Sequence, residues 1–516
     1  MITKPIDEEM NVEITAEQKV EHISTTFLDE LVSYHTKKVA PKYRKYQKLY
    51  ENKHKIANRP KKDENKPNNK LANDFFGQII DNTTGYFLGN PIVLNYVEPK
   101  KAVSNPDPVD VGVDLEQIED KKVQDSLDMI LIDNEKDDLF MEWGKEAMIK
   151  GLSHILVYQN EESKTKFMRL SPEDVILVYK NSSTKELQHA IRLYDIDTED
   201  TDKTTHYAEV YDSTGYDIFM STDTASATKR GGRAVHGYSF VERKPHIFNR
   251  IPIVTMYNNE EQMSDLERVE TLVNDYDKVL SDVSNEFEAF RNAYLMLKNM
   301  IVGADSIDKL KNEGIIEVME NGDVKFITKE IQTEALENHL NRLEKNIYMF
   351  SQVPNLSDEN FAGNLSGVAI RFKLFGLETK CIVKERKMTK AIRDLFRVMC
   401  APLRVLTGQE LDAVNLKIEF TRNVPNNITE IVDTVTKLDG KVDKETLLAL
   451  LPFIDNPKEV LEKLKEDIAE DRKNNDPYSP ENVEADSNAL FPNLNANNFG
   501  FNGLNNNFGS TPNVEE

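Results

Sequence analysis

The stretch QVPNLSDENFAGNLSGVAIRFK, residues 352–373, lies between two long helical patterns and predicts a presented loop. Pro354 cannot continue a helix, and the small polar residues after it form turns or side-chain to backbone bonds more readily than helical ones. The upstream helix is therefore expected to end before Pro354. The polar residues assigned to this loop are Asn355, Ser357, Asp358, Glu359, Asn360, Asn364 and Ser366.

The helix that follows the loop is locally basic. Residues 367–398 contain nine Lys or Arg and three acids, whereas the whole chain has a net charge of −24. Such a helix is most often a solvated face. A mobile polar loop beside a basic helix also suits a surface past which an anionic polymer moves, because such contacts hold the polymer weakly.

Length and composition favour a multidomain protein without disulfides or membrane spans. A chain of 516 residues is long enough for two to four domains. Cys381 and Cys400 fall in one helical pattern, too far apart to bridge, and are expected to be buried thiols in a reducing compartment. The N-terminus lacks the apolar core of a signal peptide, and no window reaches the apolar length of a membrane span. We expect a soluble, cytoplasmic protein that does not bind membranes.

Charge is distributed in blocks. Residues 37–70 contain thirteen Lys or Arg and three acids, and residues 98–142 contain fourteen acids and five lysines. We expect surfaces of opposite sign that one subunit cannot satisfy internally, and that attract neighbouring subunits or steer different partners to different faces. The acidic majority argues against a dedicated, tight nucleic-acid binder.

The first half of the chain predicts an α+β domain. Helical patterns cover residues 27–50, 71–87 and 123–149, and the last contains the only tryptophan, Trp143, which we expect in the core. Six short alternating patterns between residues 154 and 220 predict an antiparallel or mixed sheet.

Two long amphipathic helices follow. Ser264 and Glu267 have capping-box spacing, and an apolar stripe then continues to Phe290, roughly 40 Å of helix. A second stripe covers residues 331–350. Between them a small α/β insert is predicted, with a short helix from Asp305 and strands joined through Asn321-Gly322, a strong hairpin signal.

The end of the chain predicts short helices and a polar tail. Pro402 and Gly408 are expected to break the basic helix, and one more strand covers residues 416–420. Short helices with Asn427, Asp443 and Asn456 as caps follow. Ten of the last 29 residues are Asn, and we expect this tail to be disordered.

Catalytic signatures are missing from the sequence. It contains no phosphate-binding G-x-x-x-x-G-K-[ST] and no H-E-x-x-H. The GNLSG string at residues 363–367 has the wrong spacing for a nucleophile elbow. Asp358 and Glu359 are a carboxylate pair, but such pairs in loops are usually solvated. No cofactor, metal or catalytic residue is predicted.

Four strings resemble the portal, or head-to-tail connector, family of long-tailed double-stranded DNA bacteriophages. They are YRKYQKLYENKHKI (43–56), NKPNNKLANDFFGQIIDNTTGYFLGNPI (65–92), IPIVTMYNNEEQMSDLERV (251–269) and SQVPNLSDENFAGNLSGVAIRFKLFGLE (351–378). The resemblance covers most of residues 25–470, and the combination is more specific than any single string.

The resemblance implies a portal fold with named parts. The expected segments are a flexible N-terminus (1–24), a mixed α/β wing (25–260), a stem helix (261–292), a clip (293–330), a second stem helix (331–353), a tunnel loop (354–366), a wing or tunnel helix (367–412), a helical crown (413–472) and a disordered tail (473–516). The clip residues expected to dock partners are Asp305, Lys309, Lys311, Asn321, Gly322 and Lys325.

The resemblance also implies a function. A ring of twelve subunits at one capsid vertex would surround a channel through which double-stranded DNA passes without being read. Expected partners are the terminase, a head-completion or adaptor protein, the scaffold and the major capsid protein. The protein would be in the virion, after assembly in the host cytoplasm.

Two other classes remain open from the residues alone. A phage-encoded metal-dependent nuclease or transferase would use the carboxylates around Asp358 and would need a divalent metal. A DNA-binding structural protein that forms no channel would use the 37–70 block and would bind DNA as a monomer with a steep salt dependence.

Overall fold

The computed structural model describes residues 14–15, 23–61, 63–64, 66–97, 115–180, 186–197, 204–222, 237–290, 294–298, 322–327, 333–356, 367–423, 435–451, 454, 460–461 and 463–465. The chain divides into two units, Met1–Asn423 and Val424–Glu516. Helices and sheets occur together, so the expected α+β class is confirmed.

The helices of the first unit are α1 (Thr25–Tyr34), α2 (Ala40–Tyr50), α3 (Phe75–Leu88), α4 (Leu115–Asp133), α5 (Lys136–Lys150), α6 (Glu270–Phe290), α7 (Thr333–Ser351) and α8 (Gly367–Thr407). The described part of the second unit contains α9 (Lys444–Ala449). Asp443 caps α9 by accepting from the Thr446 N–H at 2.9 Å, as predicted. The predicted caps Asn427 and Asn456 lie outside the described residues.

The strands are β1 (Ile14–Thr15), β2 (Val93–Tyr96), β3 (Leu152–Gln159), β4 (Thr165–Leu170), β5 (Val175–Tyr179), β6 (Leu187–Asp197), β7 (Thr204–Tyr211), β8 (Gly215–Thr222), β9 (Ser239–Pro245), β10 (Ile253–Tyr257), β11 (Tyr294–Lys298), β12 (Asp323–Ile327) and β13 (Leu416–Glu419).

The strands form four sheets. The largest has the order β1-β5-β6-β7-β8-β9, and the others are β10-β3-β4, β11-β12 and β13-β2. β1 pairs with β5 in parallel, and the other pairs are antiparallel, so the expected antiparallel or mixed sheet is confirmed. β13 pairs with β2 inside the first unit. The strand β13 therefore belongs to the first unit, which ends at Asn423.

The prediction of one helix over residues 123–149 is wrong. The chain turns between α4 and α5 at Glu135, which has a left-handed φ of 48°. The cause is tertiary: Asn134 Nδ2 donates to the carbonyl of Thr165 at 3.0 Å, and its Oδ1 accepts from the Phe167 N–H at 2.7 Å. These bonds tie the turn to β4. A polar side chain that finds backbone partners outside the helix interrupts it.

The capping box at Ser264 is also wrong, because α6 begins at Glu270. Ser264 Oγ accepts from the nearby Leu266 N–H at 3.1 Å and donates to the Met148 carbonyl at 3.4 Å. The residues before Glu270 form turns. The serine therefore stabilises a turn that approaches α5.

Pro402 acts differently from expectation, and Pro41 accompanies an irregular helical turn. Pro402 lies inside α8, which continues to Thr407 and ends before Gly408 with its φ of 81°. The flanking Met399 and Leu403 are buried, and this packing offsets the cost of the missing hydrogen bond. Between α1 and α2 the chain forms a π-helical turn, His35–Val39. Pro41, which has no N–H to donate, directly follows that turn.

The main core lies between α3, α5, α8 and the β3 sheet. Trp143 is fully buried there, as predicted. Both cysteines lie on α8 and are free thiols, as predicted. Cys381 is buried and Cys400 is half-buried, and burial raises the pKa of these thiols to about 12 and about 11. Such thiols are protonated and unreactive at neutral pH.

Candidate functional site

The end of α7 sets the start of the predicted loop. Ser351 Oγ donates to the Tyr348 carbonyl at 3.0 Å and accepts from the Val353 N–H at 3.3 Å. Gln352 has a φ of 60°, the left-handed conformation that commonly follows a helix. The helix therefore ends before Pro354, as predicted.

Of the polar residues assigned to the loop, Asn355 is the one that lies within the described residues. Its Nδ2 donates to Glu344 Oε1 at 2.9 Å, so its side chain folds back on α7. The remaining predicted residues lie outside the described residues: Ser357, Asp358, Glu359, Asn360, Asn364 and Ser366.

A buried charge cluster connects the helices around this point. Asp265 Oδ1 lies 2.9 Å from Lys384 Nζ, and its Oδ2 lies 3.0 Å from Lys380 Nζ. Lys384 also donates to Asn258. Lys380 donates to the carbonyl of Ser351 at 3.2 Å. One cluster therefore joins the end of α7, the turn before α6 and the first half of α8.

The cluster shifts the titration of its members. Burial alone would raise the pKa of the Asp265 carboxyl, but attraction by Lys380 and Lys384 outweighs it and holds that pKa well below its usual range. Burial lowers the pKa of Lys384 to about 8, and Asp265 offsets part of that change. At neutral pH Asp265 is ionised and Lys384 is charged, so the cluster is an ion pair with little access to water.

A second set of contacts holds the opposite flank of α8. Arg422 Nε lies 3.0 Å from Glu378 Oε2, and its Nη2 lies 2.6 Å from Glu385 Oε2. Tyr86 OH donates to Glu378 Oε2 at 2.7 Å. The Arg422 guanidinium also lies over the ring of Phe87, 5.4 Å from its centroid. The acids of the basic helix are thereby matched by an arginine from the segment after β13.

These contacts explain part of the basic character of residues 367–398. Lys380, Lys384 and Lys387 contact Asp265 and Glu260 of the same chain. The sequence left open whether this helix holds the loop or packs against acidic neighbours. In the structure one lysine, Lys380, does both.

Sequence reasoning did not single out this cluster, although one signal was present. Lys384 lies at helical spacing among the buried residues Leu377, Cys381 and Met388, which marks a lysine on a core face. Its partner Asp265 is 119 positions away. The sequence offers no sign of that pairing.

Part of the basic block at residues 37–70 is paired inside the chain, so these residues do not form the unsatisfied surface that the sequence predicts. Lys45 and Lys55 lie 2.5 and 3.1 Å from the two carboxylate oxygens of Glu270 at the start of α6. Arg59 pairs with Asp282, which lies about three turns further along α6. Arg44 lies 2.9 Å from Glu173.

The segment before α3 binds α6 in register. Asp277 Oδ1 accepts from the Asn73 N–H at 2.9 Å, Ser281 Oγ from the Leu71 N–H at 3.0 Å, and Asn285 Oδ1 from the Asn69 N–H at 2.6 Å. Four residues of helix rise about 6 Å. Two residues of extended chain cover about 6.6 Å. The two spacings match, so alternate backbone amides meet successive turns of α6.

The same aspartate also holds a histidine. Asp277 Oδ2 lies 2.6 Å from His54 Nδ1, and the exposed fractions of the two side chains are 1% and 0%. The ring of His54 packs edge-on against Phe76, with centroids 5.0 Å apart. Helix α6 is therefore fixed to earlier segments of the chain by a buried polar network.

Helix α7 packs beside α6. His339 Nε2 of α7 lies 3.6 Å from Asp275 Oδ2 of α6. Phe75 of α3 contacts the rings of Tyr276 on α6 and Tyr348 on α7, with centroids 5.0 and 6.0 Å apart. One aromatic residue thus bridges both helices.

The segment between α6 and α7 contains an antiparallel strand pair. β11 and β12 pair from Tyr294 opposite Ile327 to Lys298 opposite Asp323. Of the predicted docking residues, Gly322 precedes β12 and Lys325 lies in it opposite Met296. The others lie outside the described residues: Asp305, Lys309, Lys311 and Asn321.

Within the described part of the chain, no cluster of three or more His, Cys, Asp or Glu side chains is arranged to hold a metal ion. Among the described helices, none is long and apolar enough to cross a membrane. The geometry consists of structural ion pairs and packed helices.

The family model for phage portal proteins of the SPP1 Gp6-like type matches residues 29–474. The chain belongs to this portal family. Portal proteins are structural, non-enzymatic components of phage heads and are found in the virion as an oligomeric, capsid-associated assembly. The chain is accordingly not an enzyme.

Two curated portal proteins are similar to this chain. The portal protein of Bacillus phage SPP1 is 26% identical over 425 residues, which covers 79% of this chain and 77% of the relative. The portal protein of Clostridium phage phiCD119 is 29% identical over 304 residues, which covers 57% of this chain and 64% of the relative. The matched region includes all of α6, α7 and α8.

Proposed function

We propose that this portal protein forms a dodecameric ring at one capsid vertex, and that double-stranded DNA is packaged and ejected through its channel without sequence recognition. The observation that carries the proposal is the portal-family match over residues 29–474. The paired stem helices α6 and α7, with an antiparallel strand pair between them in the chain, agree with this assignment.

The buried contacts of α6 support a channel wall that bears load. Asp277, Ser281 and Asn285 bind the backbone of residues 69–73, and Glu270 binds two lysines. A stem helix fixed along four turns transmits force to the domain behind it instead of bending. The Asp265 cluster joins the end of α7, just before the 354–366 segment, to the turn that precedes this helix.

In this proposal residues 354–366 form the tunnel loop that faces the DNA, with Asp358 and Glu359 repelling phosphate. The clip, residues 293–330, docks the terminase during packaging and then the adaptor or head-completion protein. The wing contacts the scaffold and the major capsid protein. Assembly takes place in the host cytoplasm, before the ring is built into the virion.

Negative-stain microscopy of the purified full chain tests the ring. The expected result is a closed ring with a central hole, with the subunit number given by its rotational symmetry and by light scattering. A monodisperse monomer at both low and high salt would overturn the proposal.

A packaging assay tests the loop. Replacing Asp358 and Glu359 with lysine turns two negative charges into two positive ones beside the polymer, so DNA affinity should rise and packaging should slow or stall. The isosteric Asp358→Asn/Glu359→Gln variant is the matched control and should package at nearly the normal rate. Normal packaging by rings of the lysine variant would show that the loop does not face DNA.

Deletion of residues 304–329, with a short linker, tests the clip. We expect loss of terminase and adaptor binding while circular dichroism shows the rest of the chain folded. Unchanged binding of both partners would refute the clip assignment.

A further inference from the structure

Helix α8 has an outward face that is exposed in the described part of the chain. One side of the helix packs into the core through Leu377, Cys381, Met388 and Leu395. Six other side chains fall within about 100° of one another on the opposite side of a helix with 3.6 residues per turn. They are Phe372, Phe375, Ile382, Arg386, Lys390 and Arg393.

The apolar end of this face is unusually exposed. The exposed fractions are 77% for Phe372 and 70% for Phe375. Phe350 and Met349, at the end of α7, are also about half exposed. Exposed apolar patches of this kind mark surfaces that another protein covers.

An apolar groove of suitable size lies elsewhere on the same unit. It is a cavity of about 200 Å³ lined by Leu88, Pro91, Ile92, Phe140 and Met141. An apolar cavity of about 150 Å³ is large enough for a benzene ring. The groove therefore has room for one phenylalanine side chain.

Charge distinguishes the rim of the groove from the helix face. Asp137 and Asp138, in the first turn of α5, line the groove and are exposed. On the helix face, the exposed Arg371 precedes Phe372. Lys136 lies at the same rim, where its Nζ is 3.0 Å from Asp137 Oδ1 and donates to the Ile92 carbonyl at 2.8 Å. The rim therefore keeps a net negative charge, opposite in sign to the arginine beside the exposed aromatic side chain.

Within the described part of one copy the two surfaces do not fill each other, since both phenylalanine side chains remain exposed. One core contains Phe140, which lies beneath the groove, and Leu377 and Leu395, which lie on the inner side of α8. The outward side of α8 therefore faces away from that core. We infer that Phe372 or Phe375 of one copy seats in the Leu88–Met141 groove of a second copy, with Arg371 beside Asp137 and Asp138.

This contact is heterologous, because each copy offers its helix face to one neighbour and its groove to the other. Such contacts close into a ring when the rotation between copies allows it. The inference rests on the proposed function, since it identifies the contact that would hold the portal ring together.

The phenylalanine-rich end of the chain is the competing occupant. That segment contains Phe491, Phe499, Phe501 and Phe508, but no Lys or Arg follows Lys473 and the chain ends in two glutamates. The carboxylates at the rim of the groove would repel it. A second copy is therefore favoured by charge as well as by size.

A mixing experiment with two full-length variants tests the contact. The face variant, Phe372→Glu/Phe375→Glu, keeps its groove, and the groove variant, Asp137→Arg/Asp138→Arg, keeps its helix face. Light scattering after gel filtration should show each variant alone as a monomer. In an equimolar mixture the intact face of the groove variant can bind the intact groove of the face variant, which gives a one-to-one dimer. The dimer should grow no further, because its two unused surfaces are the altered ones.

The matched control is Val405→Glu/Leu406→Glu, which places the same charges at exposed apolar positions on α8 outside this face. It should assemble as the unaltered chain does. Thermal unfolding of all three variants checks that they fold, and Arg371→Glu added to the groove variant should restore assembly if the rim charges act as inferred.

The outcomes separate the two proposals. Rings formed by either the face or the groove variant alone would overturn this contact and leave the portal ring standing. An unaltered chain that is a monomer would remove the proposed function itself. If deleting residues 474–516 abolishes assembly while the face variant assembles normally, the tail is the occupant and the inference is wrong.

Discussion

Helix α6 and the first half of α8 differ in where their side chains find partners. In α6 the side chains of Asp277, Ser281 and Asn285 bind backbone amides of residues 69–73, and Asp277 also binds the buried His54. In α8 the outward residues Phe372 and Phe375 are more than two-thirds exposed.

The difference separates stability within a subunit from contact between subunits. Replacing a polar side chain that is paired inside the chain lowers the unfolding free energy of the subunit itself. Exposed aromatic side chains add little to that free energy, because they make few contacts within their own subunit. Substitutions in α6 should therefore change unfolding, and substitutions on the outward face of α8 should not.

The largest expected effect is at Asp277. Replacing it with alanine leaves His54 and the Asn73 amide without their shared acceptor, so the free energy of unfolding should fall by about 3–5 kcal/mol. Urea denaturation measures it. Asp275→Ala, two residues away and half-exposed, is the control and should cost about 0–1 kcal/mol. Equal losses for the two variants would show that the buried network does not anchor α6.

Lys384→Met should have the next largest effect. Asp265 keeps Lys380 at 3.0 Å, so the loss should be about 2–3 kcal/mol, below the full cost of leaving a buried charge without any partner. The exposed Lys390→Met on the same helix is the control, with an expected change within about 0.5 kcal/mol.

The contribution of Lys384 to the free energy of unfolding should also depend on pH. Its pKa is lowered from 10.5 to about 8 in the folded chain, so between these values the unfolded chain binds more protons. The unfolding free energy of the unaltered chain should therefore rise relative to Lys384→Met as pH increases from about 8 to about 10.5. A constant difference from pH 7 to 10 would contradict the burial of a charged Lys384.

A smaller effect is expected at Ser281. Alanine removes the acceptor for the Leu71 N–H, which should cost about 1–2 kcal/mol and increase hydrogen exchange at that amide. Ser284→Ala on the same helix is the control, and its Leu71 amide should stay protected. Unchanged hydrogen exchange at the Leu71 amide in Ser281→Ala would show that the bond to Ser281 does not protect that amide.

The smallest effect is expected at Phe375. Changing it to serine should alter the unfolding free energy of the isolated subunit by less than about 0.5 kcal/mol, because the ring is already in water. The measurement is urea unfolding at a dilution where subunits are separate. A loss above 2 kcal/mol would mean that this side chain packs within its own chain.

Local patterns in the sequence predicted most elements correctly. Pro354 and its polar neighbours indicated the end of α7, and the alternating patterns from residue 154 indicated strands of a mixed sheet. These signals depend on residues close together in the chain, because a helix stop or a strand pattern is decided by neighbouring side chains. The portal family was likewise recognisable from strings of neighbouring residues.

The wrong predictions share one cause. The break between α4 and α5 depends on bonds from Asn134 to β4, and the late start of α6 depends on Ser264 contacting α5. Pro402 is carried inside α8 by packing on both sides. In each case a contact between distant segments outweighed the local preference.

The sequence by itself determined the class of fold, the order of the long helices and the position of the polar loop, because periodicity and turn residues act over a few positions. Only the tertiary structure decided which charges are paired. The sequence predicted an unpaired surface for the basic block at residues 37–70, but the fold brings Glu270 and Asp282 into contact with residues of that block. Lys384 pairs with a residue 119 positions away in the chain. Coulombic attraction depends on distance in space and on burial, and neither can be read from the order of residues.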